Sequence, residues 1–269
     1  ANGTNIYCYC IIKKPDPVIK SCTGIDSRYN LRFISHKDIN MAISMVSQDE
    51  FSENKLNDAV YDIKWLSQYA IKHENIVETA MKQFSPLLPM KFCTIYREEC
   101  SVKLLLKRHY SVFAEALNYF KDKDEYGVKV YAGKNVVMKN IRSLSNDQFN
   151  DEDVNISSGR NYLLRKKLEK ETQDGFIKEL SCMAETILSF ISEWATKSVS
   201  HKIVNTENKA EKEMLIHNAS YLVENRHLDG FFKLISQLNN SYTQKGVRFE
   251  ISGPWPCYSF SPRIEAVSN

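Results

Sequence analysis

Cysteine and histidine are the residues of this sequence whose types most often bind metals or serve as nucleophiles and bases. The seven cysteines show no C-x-x-C spacing, and the six histidines show no H-x-x-x-H pair. They are Cys8, Cys10, Cys22, Cys93, Cys100, Cys182 and Cys257, and His36, His73, His109, His201, His217 and His227. Because zinc sites and redox motifs use closely paired ligands, this spacing predicts no metal site. The number of cysteines is odd and none are spaced as C-x-x-C, which favours a reduced, cytosolic chain.

Motifs of catalysis and of cofactor binding are also missing from the sequence. There is no Walker A loop, no G-x-G-x-x-G and no G-x-S-x-G elbow. His73 and His109 fall among apolar residues at helical spacing, which favours buried histidines over catalytic ones. We therefore predict no catalytic residue, no cofactor and no enzyme. An enzyme whose site is assembled from distant residues between two domains is the alternative.

The charge of the 269-residue chain is nearly balanced. Lysine and arginine number 36 against 33 aspartates and glutamates, a formal net charge of +3. Such a weak field does not indicate a nucleic-acid partner. The basic runs at 107–108 and 165–167 are interpreted as solvated helix faces, and the aromatic signature of RNA-binding RRM sheets is absent. No apolar run approaches the length of a membrane span, so no membrane partner is expected.

The elements that position these residues are predicted from apolar periodicity. The predicted strands are 6–12, 18–25, 31–35, 41–46, 90–96, 126–132, 212–224 and 247–251, and the predicted helices are 60–84, 98–120, 160–197 and 228–242. This order predicts an α+β protein of two domains. Residues 1–134 form a modified ferredoxin-like domain whose sheet is covered on one face, 135–157 form a polar linker, and 158–269 form an α+β domain with a long helix.

The last strand runs into Gly253-Pro254-Trp255-Pro256-Cys257-Tyr258-Ser259-Phe260. Two prolines exclude a helix there, remove backbone donors and hold Trp255 at a nearly fixed angle. Burial of Trp255, Tyr258 and Phe260 would hold the end of the chain onto the fold, and we prefer this interpretation. The alternative is a docking surface, where tryptophan and tyrosine are common anchors.

This ending resembles that of the gas vesicle GvpF/GvpL accessory proteins, with Cys257 where a second proline is common. Leu88-Pro89-Met90-Lys91-Phe92-Cys93-Thr94 resembles the Leu-Pro-x-[Arg/Lys]-Phe-Gly-Thr segment of that family, and Cys93 replaces its usual glycine. Gly159-Arg160-Asn161-Tyr162-Leu163 resembles its Gly-Arg-x-Tyr-Leu helix start. Further markers of the family are 6–12, 65, 73–78 and 218–223, so the likeness covers nearly the whole chain.

The resemblance implies the same fold and a non-enzymatic role in building gas vesicles, whose wall is a polymer of a small hydrophobic shell protein. We predict that the protein binds the major shell protein and other accessory proteins, at the gas vesicle in the cytoplasm. A minor structural component of the wall is the alternative. Arg160 and Tyr162, on which the likeness falls, are predicted to anchor the domain junction or to contact a partner. The sequence leaves open the oligomeric state and the choice between an F-like and an L-like member.

Overall fold

The computed structural model describes residues 3–13, 22–133, 175, 178, 180, 182–203 and 213–264. The chain forms two compact units, one of Ala1–Glu125 with Pro254–Asn269 and one of Tyr126–Gly253. These boundaries differ from the predicted ones, because the strand over 126–132 is paired in the second sheet and the residues after Gly253 bond to the first unit. The predicted linker 135–157 lies outside the described residues.

The first unit is built on a five-stranded antiparallel sheet. Its elements are β1 (Thr4–Lys13), β2 (Arg32–His36), β3 (Ile39–Ser47), α1 (Gln48–Phe51), α2 (Glu53–Ala59), α3 (Ile63–Gln83), β4 (Leu87–Pro89), β5 (Ile95–Tyr96), α4 (Glu99–Arg108) and α5 (Tyr110–Phe120). The strand order is β2-β3-β1-β4, and β5 also pairs with β1. The strands pair antiparallel in this order, and α1 to α3 connect β3 to β4, which is consistent with the predicted ferredoxin-like arrangement.

The central strand β1 is buried without interruption over eight residues. Because side chains alternate across a strand, such burial requires cover on both faces of the sheet. Helices α3 and α5 both contact β1, and Tyr7 and Tyr9 pack in one core cluster with residues of α3. The expectation that only one face is covered is therefore wrong.

Two segments of the first unit differ from the predicted elements. Of the predicted strand 90–96, only Ile95–Tyr96 forms a strand, β5, and β4 lies before it at Leu87–Pro89. Cys93 between the two strands has a left-handed backbone with φ of 61°. The predicted helix 98–120 is divided into α4 and α5 at His109, whose ψ of 19° departs from helical geometry. Helix α3 begins at Ile63 rather than at residue 60, after Asp62, whose carboxylate caps it.

The second unit is built on a four-stranded sheet of order β7-β8-β6-β9. Its strands are β6 (Lys123–Gly133), β7 (Lys197–Ser200), β8 (Glu213–Glu224) and β9 (Val247–Trp255), with helices α6 (182–192) and α7 (Leu228–Thr243). A core of apolar and aromatic residues, including Tyr126, Ile187, Tyr221 and Phe231, joins the sheet to both helices. The predicted helix 160–197 ends at 192, since residues 197–200 pair with β8, and its first residues lie outside the described part.

Candidate functional site

The residues after Gly253 return to the first unit, and we call Pro254–Ile264 the tail. Pro256 and Cys257 are buried, whereas Trp255, Tyr258 and Phe260 are half-buried. Residues Tyr258–Phe260 form one turn of 3₁₀ helix. The structure thus brings the three predicted tail residues into one segment of this unit. The other two predicted residues, Arg160 and Tyr162, lie outside the described residues.

Helix α3 positions His73 at the centre of the contacts between the tail and the sheet. His73 is almost fully buried, and its Nδ1 lies 3.1 Å from the Tyr7 hydroxyl and its Nε2 lies 3.2 Å from the Tyr258 hydroxyl. The Tyr7 oxygen accepts the Cys93 N–H at 2.8 Å, so its own proton is free for His73 Nδ1. The His73 Nε2–H then donates to Tyr258, whose hydroxyl donates to Glu74.

Burial controls the protonation of this network. It lowers the pKa of His73 to about 4 and raises the pKa of Tyr258 and of Glu74. His73 is therefore neutral at neutral pH, and both of its ring nitrogens are occupied. A histidine held in this way joins three segments of the chain and has no free nitrogen with which to accept a proton from a substrate.

A second set of bonds holds the tail through Glu125. The Glu125 side chain is buried, and its two oxygens accept the Ser259 N–H at 3.0 Å and the Ser259 hydroxyl at 2.6 Å. A buried carboxylate is costly unless donors satisfy it, so these bonds make docking of Ser259 part of the stability of the unit. Sequence reasoning missed both Glu125 and the role of His73, because 134 and 185 residues separate them from their tail partners.

A surface cavity of the first unit adjoins β5, and we call it the β5 groove. Its volume is about 680 Å³. It is lined by Asn5, Gln48, Phe51, Ser52, Glu53, Asn54, Leu56, Asn57, Cys93, Ile95, Tyr96 and Arg97. Strand β5 pairs with β1 and, within the described part of the chain, with no other strand, so its second side is an edge of the sheet. An edge strand presents unpaired backbone groups, so the groove offers hydrogen bonds as well as apolar contacts.

Two further features bear on the kind of site. Among the described residues, no three histidine, cysteine, aspartate or glutamate side chains are grouped to hold a metal ion. None of the helices in those same parts of the chain is long and apolar enough to cross a membrane.

The chain thus has a two-unit α+β fold with a buried histidine network and an open groove beside β5. The family model for the gas vesicle synthesis protein GvpL/GvpF matches residues 5–262, and the chain belongs to this family. Membership gives it a role in gas vesicle formation.

The chain is similar to curated members of both branches of the family. Gas vesicle protein L of Streptomyces sp. (strain CB03234) is 25% identical over 256 residues, which cover 95% of this chain and 92% of that protein. Gas vesicle protein L1 of Halobacterium salinarum is 22% identical over 98% of this chain and 92% of its own length. Gas vesicle protein F of the same Streptomyces strain is 21% identical over 76% of this chain and 82% of that protein.

Two crystal structures share the fold. GvpF from Anabaena sp. PCC7120 superposes with a TM-score of 0.70 at 16% identity, over 99% of this chain and 100% of that one. GvpF from Microcystis aeruginosa gives a TM-score of 0.64, also at 16% identity, over 96% and 99%.

Proposed function

We propose that this protein is a non-enzymatic accessory protein that binds the hydrophobic shell protein of gas vesicles and supports vesicle assembly in the cytoplasm. The names of its relatives, all gas vesicle proteins, support this role and make the shell protein and other accessory proteins the expected partners. The observation that carries the proposal is the β5 groove, an open cavity of about 680 Å³ beside an edge strand.

The chemistry of the groove suits a shell subunit before polymerisation. Such a subunit exposes apolar surface and unpaired strand edges, which favour incorrect association. The backbone of β5 can pair with an extended segment of the subunit, as in β-augmentation. Half-buried Leu56 and Ile95 supply apolar contacts beside that backbone. A bound subunit would be kept from self-association until it reached the growing wall.

Co-purification with the shell protein tests this proposal. Asn54 is an exposed residue of α2 that lines the groove, so Asn54→Trp fills the cavity without removing a core residue. Ser111→Trp, at an exposed position of α5, is the matched control. We expect the wild type and the control to retain the shell protein equally, and Asn54→Trp to lose at least about tenfold.

The outcomes separate the proposal from its alternatives. Absence of the shell protein from the wild-type eluate would contradict shell binding, and equal retention by Asn54→Trp would remove the groove from the interface. Protein that stays on purified vesicles through a wash in strong denaturant would instead support a minor structural component of the wall.

A further inference from the structure

The turn between α2 and α3 exposes three large apolar side chains, and we call residues 58–63 the α2–α3 corner. Val60, Tyr61 and Ile63 are 64%, 89% and 78% exposed. The turn is fixed, because the Tyr61 N–H donates to the Asp58 carbonyl and the Asp62 carboxylate caps α3. Single exposed apolar residues are ordinary, but three on one ordered turn form a patch that suits a partner.

Negative charge surrounds this patch and decides which partner fits it. A groove of about 590 Å³ adjoins the corner, and Asp58, Ala59 and Asp62 lie in its wall. The charged side chains lining it are Asp49, Glu50, Asp58 and Asp62 against one lysine, Lys55. Because the chain as a whole carries +3, this negative region is local. Half-buried Trp65 in the same wall offers an aromatic face.

We propose that the α2–α3 corner binds a basic amphipathic segment of a partner polypeptide. Arginine or lysine side chains of that segment enter the acidic groove, where a guanidinium can stack on Trp65. Its apolar side chains cover Val60, Tyr61 and Ile63. Nucleic acids and anionic lipid surfaces are repelled by the same carboxylates, so a polypeptide is the occupant that charge complementarity selects.

This surface is separate from the one proposed for shell binding. The β5 groove is lined by Glu53, Asn54, Leu56 and Asn57 of α2. The acidic groove is lined by Lys55, Asp58 and Ala59. The two grooves thus use different residues of one short helix. A protein with both surfaces occupied would hold two partners of different chemistry at once.

A synthetic peptide can be tested without any gas vesicle component. Its binding therefore reports on the α2–α3 corner whether or not the protein binds the shell protein. The probe is a fluorescein-labelled 18-residue amphipathic peptide of leucine and arginine, followed by fluorescence anisotropy with the full chain. Peptides of leucine with glutamate, in the same pattern, and of serine with arginine are the comparisons. We expect the leucine–arginine peptide to bind at least tenfold more tightly than either, and to weaken between 50 and 500 mM NaCl.

Matched variants assign that binding to the corner. Tyr61→Ser with Ile63→Ser removes most of the apolar patch, and Asp58→Asn with Asp62→Asn removes charge while asparagine still caps α3. Each pair should weaken binding at least tenfold, whereas Leu104→Ser, at an exposed apolar position of α4, and Ser111→Trp, at an exposed position of α5, should stay within twofold. Undiminished affinity in both double variants, equal affinity for the leucine–glutamate peptide, or no binding by the folded wild type would overturn the proposal.

Discussion

Each of the two units buries a histidine against a tyrosine hydroxyl, but the partners come from very different distances along the chain. In the second unit, His217 Nε2 lies 2.9 Å from the hydroxyl of Tyr221, four residues further along β8. In the first unit, His73 joins Tyr7 of β1 to Tyr258 of the tail, 185 residues away. The polar contact of the second core is thus local, whereas that of the first requires the end of the described chain.

The same contrast appears in how the two units are assembled from the sequence. The second unit is one continuous stretch, Tyr126–Gly253, with a core of apolar and aromatic side chains. The first unit combines Ala1–Glu125 with residues after Gly253, and half-buried Tyr258 packs against its core. We infer that the first unit reaches its full stability only after the tail has docked, while the second can form from a continuous segment.

Removal of the tail is the strongest way to break this comparison. A stop after Gly253 deletes Tyr258 from the core and leaves buried Glu125 without the Ser259 donors. We expect the first unit to lose at least about 4 kcal/mol of unfolding free energy, from lost apolar burial and an unsatisfied buried carboxylate. Hydrogen exchange should accelerate in peptides of β1 and α3 and change little in peptides of β8 and α7.

A stop after Ile264 is the control for this deletion, and it should leave both units at wild-type protection. Uniform acceleration across both units in the longer truncation would show that the tail does not act on the first unit alone.

Acid should destabilise the first unit through His73. Its pKa is about 4 when folded and about 6.5 in the unfolded chain, so between these values the unfolded chain binds more protons. Neutral, buried His73 therefore contributes about 3 kcal/mol to the unfolding free energy above about pH 6.5, and this contribution is lost as the pH falls towards 4. Glu74, whose pKa is raised by burial, acts in the opposite direction at the acidic end of this range.

Urea unfolding at pH 7.5, 6 and 5, monitored by hydrogen exchange in α3, measures this slope. His73→Gln should flatten it, and His217→Gln should leave the slope of the first unit unchanged. Direct titration of the His73 ring by NMR is the second readout. A ring that titrates near 6.5 in the folded protein would contradict the burial argument.

Loss of single hydroxyls sharpens the comparison at a smaller scale. Tyr258→Phe removes the partner of His73 Nε2 and of Glu74, whereas Tyr221→Phe removes the partner of His217 alone. We expect about 2 kcal/mol for the first and about 1 kcal/mol for the second, because each buried group left without a partner adds to the cost. Chemical denaturation with local exchange readouts for each unit checks the order. A larger loss in Tyr221→Phe would reverse it.

The sequence predicts those features that depend on neighbouring residues. Apolar spacing predicts β1, α3, β8 and α7, because the residues that form each pattern are neighbours in the sequence. The two prolines of the tail predict a rigid, non-helical segment. The apolar residues at helical spacing around His73 predict that this histidine is buried. Contacts between residues that are far apart in the sequence leave no such local pattern. Neither the assignment of Tyr126 to the second unit nor the bonds from Ser259 to Glu125 can be deduced from spacing.

The smallest predicted effect concerns the left-handed backbone conformation, which different residue types adopt in the two units. Cys93 in the first unit and Gly246 in the second have φ of 61° and 74°. A side chain costs about 1–2 kcal/mol in this left-handed region, and glycine avoids that cost but loses more entropy on folding. Cys93→Gly should therefore stay within about 0.5 kcal/mol of wild type. Gly246→Cys should destabilise by about 1–2 kcal/mol, and so should Cys93→Val, because a β-branched side chain fits this region worse than the cysteine it replaces. The Cys93 N–H donates to the Tyr7 hydroxyl in this conformation, so a shift of the backbone in Cys93→Val should also speed exchange in β1. Equal stability of Cys93→Gly and Cys93→Val would mean that the hydrogen bond to Tyr7 survives without the left-handed backbone.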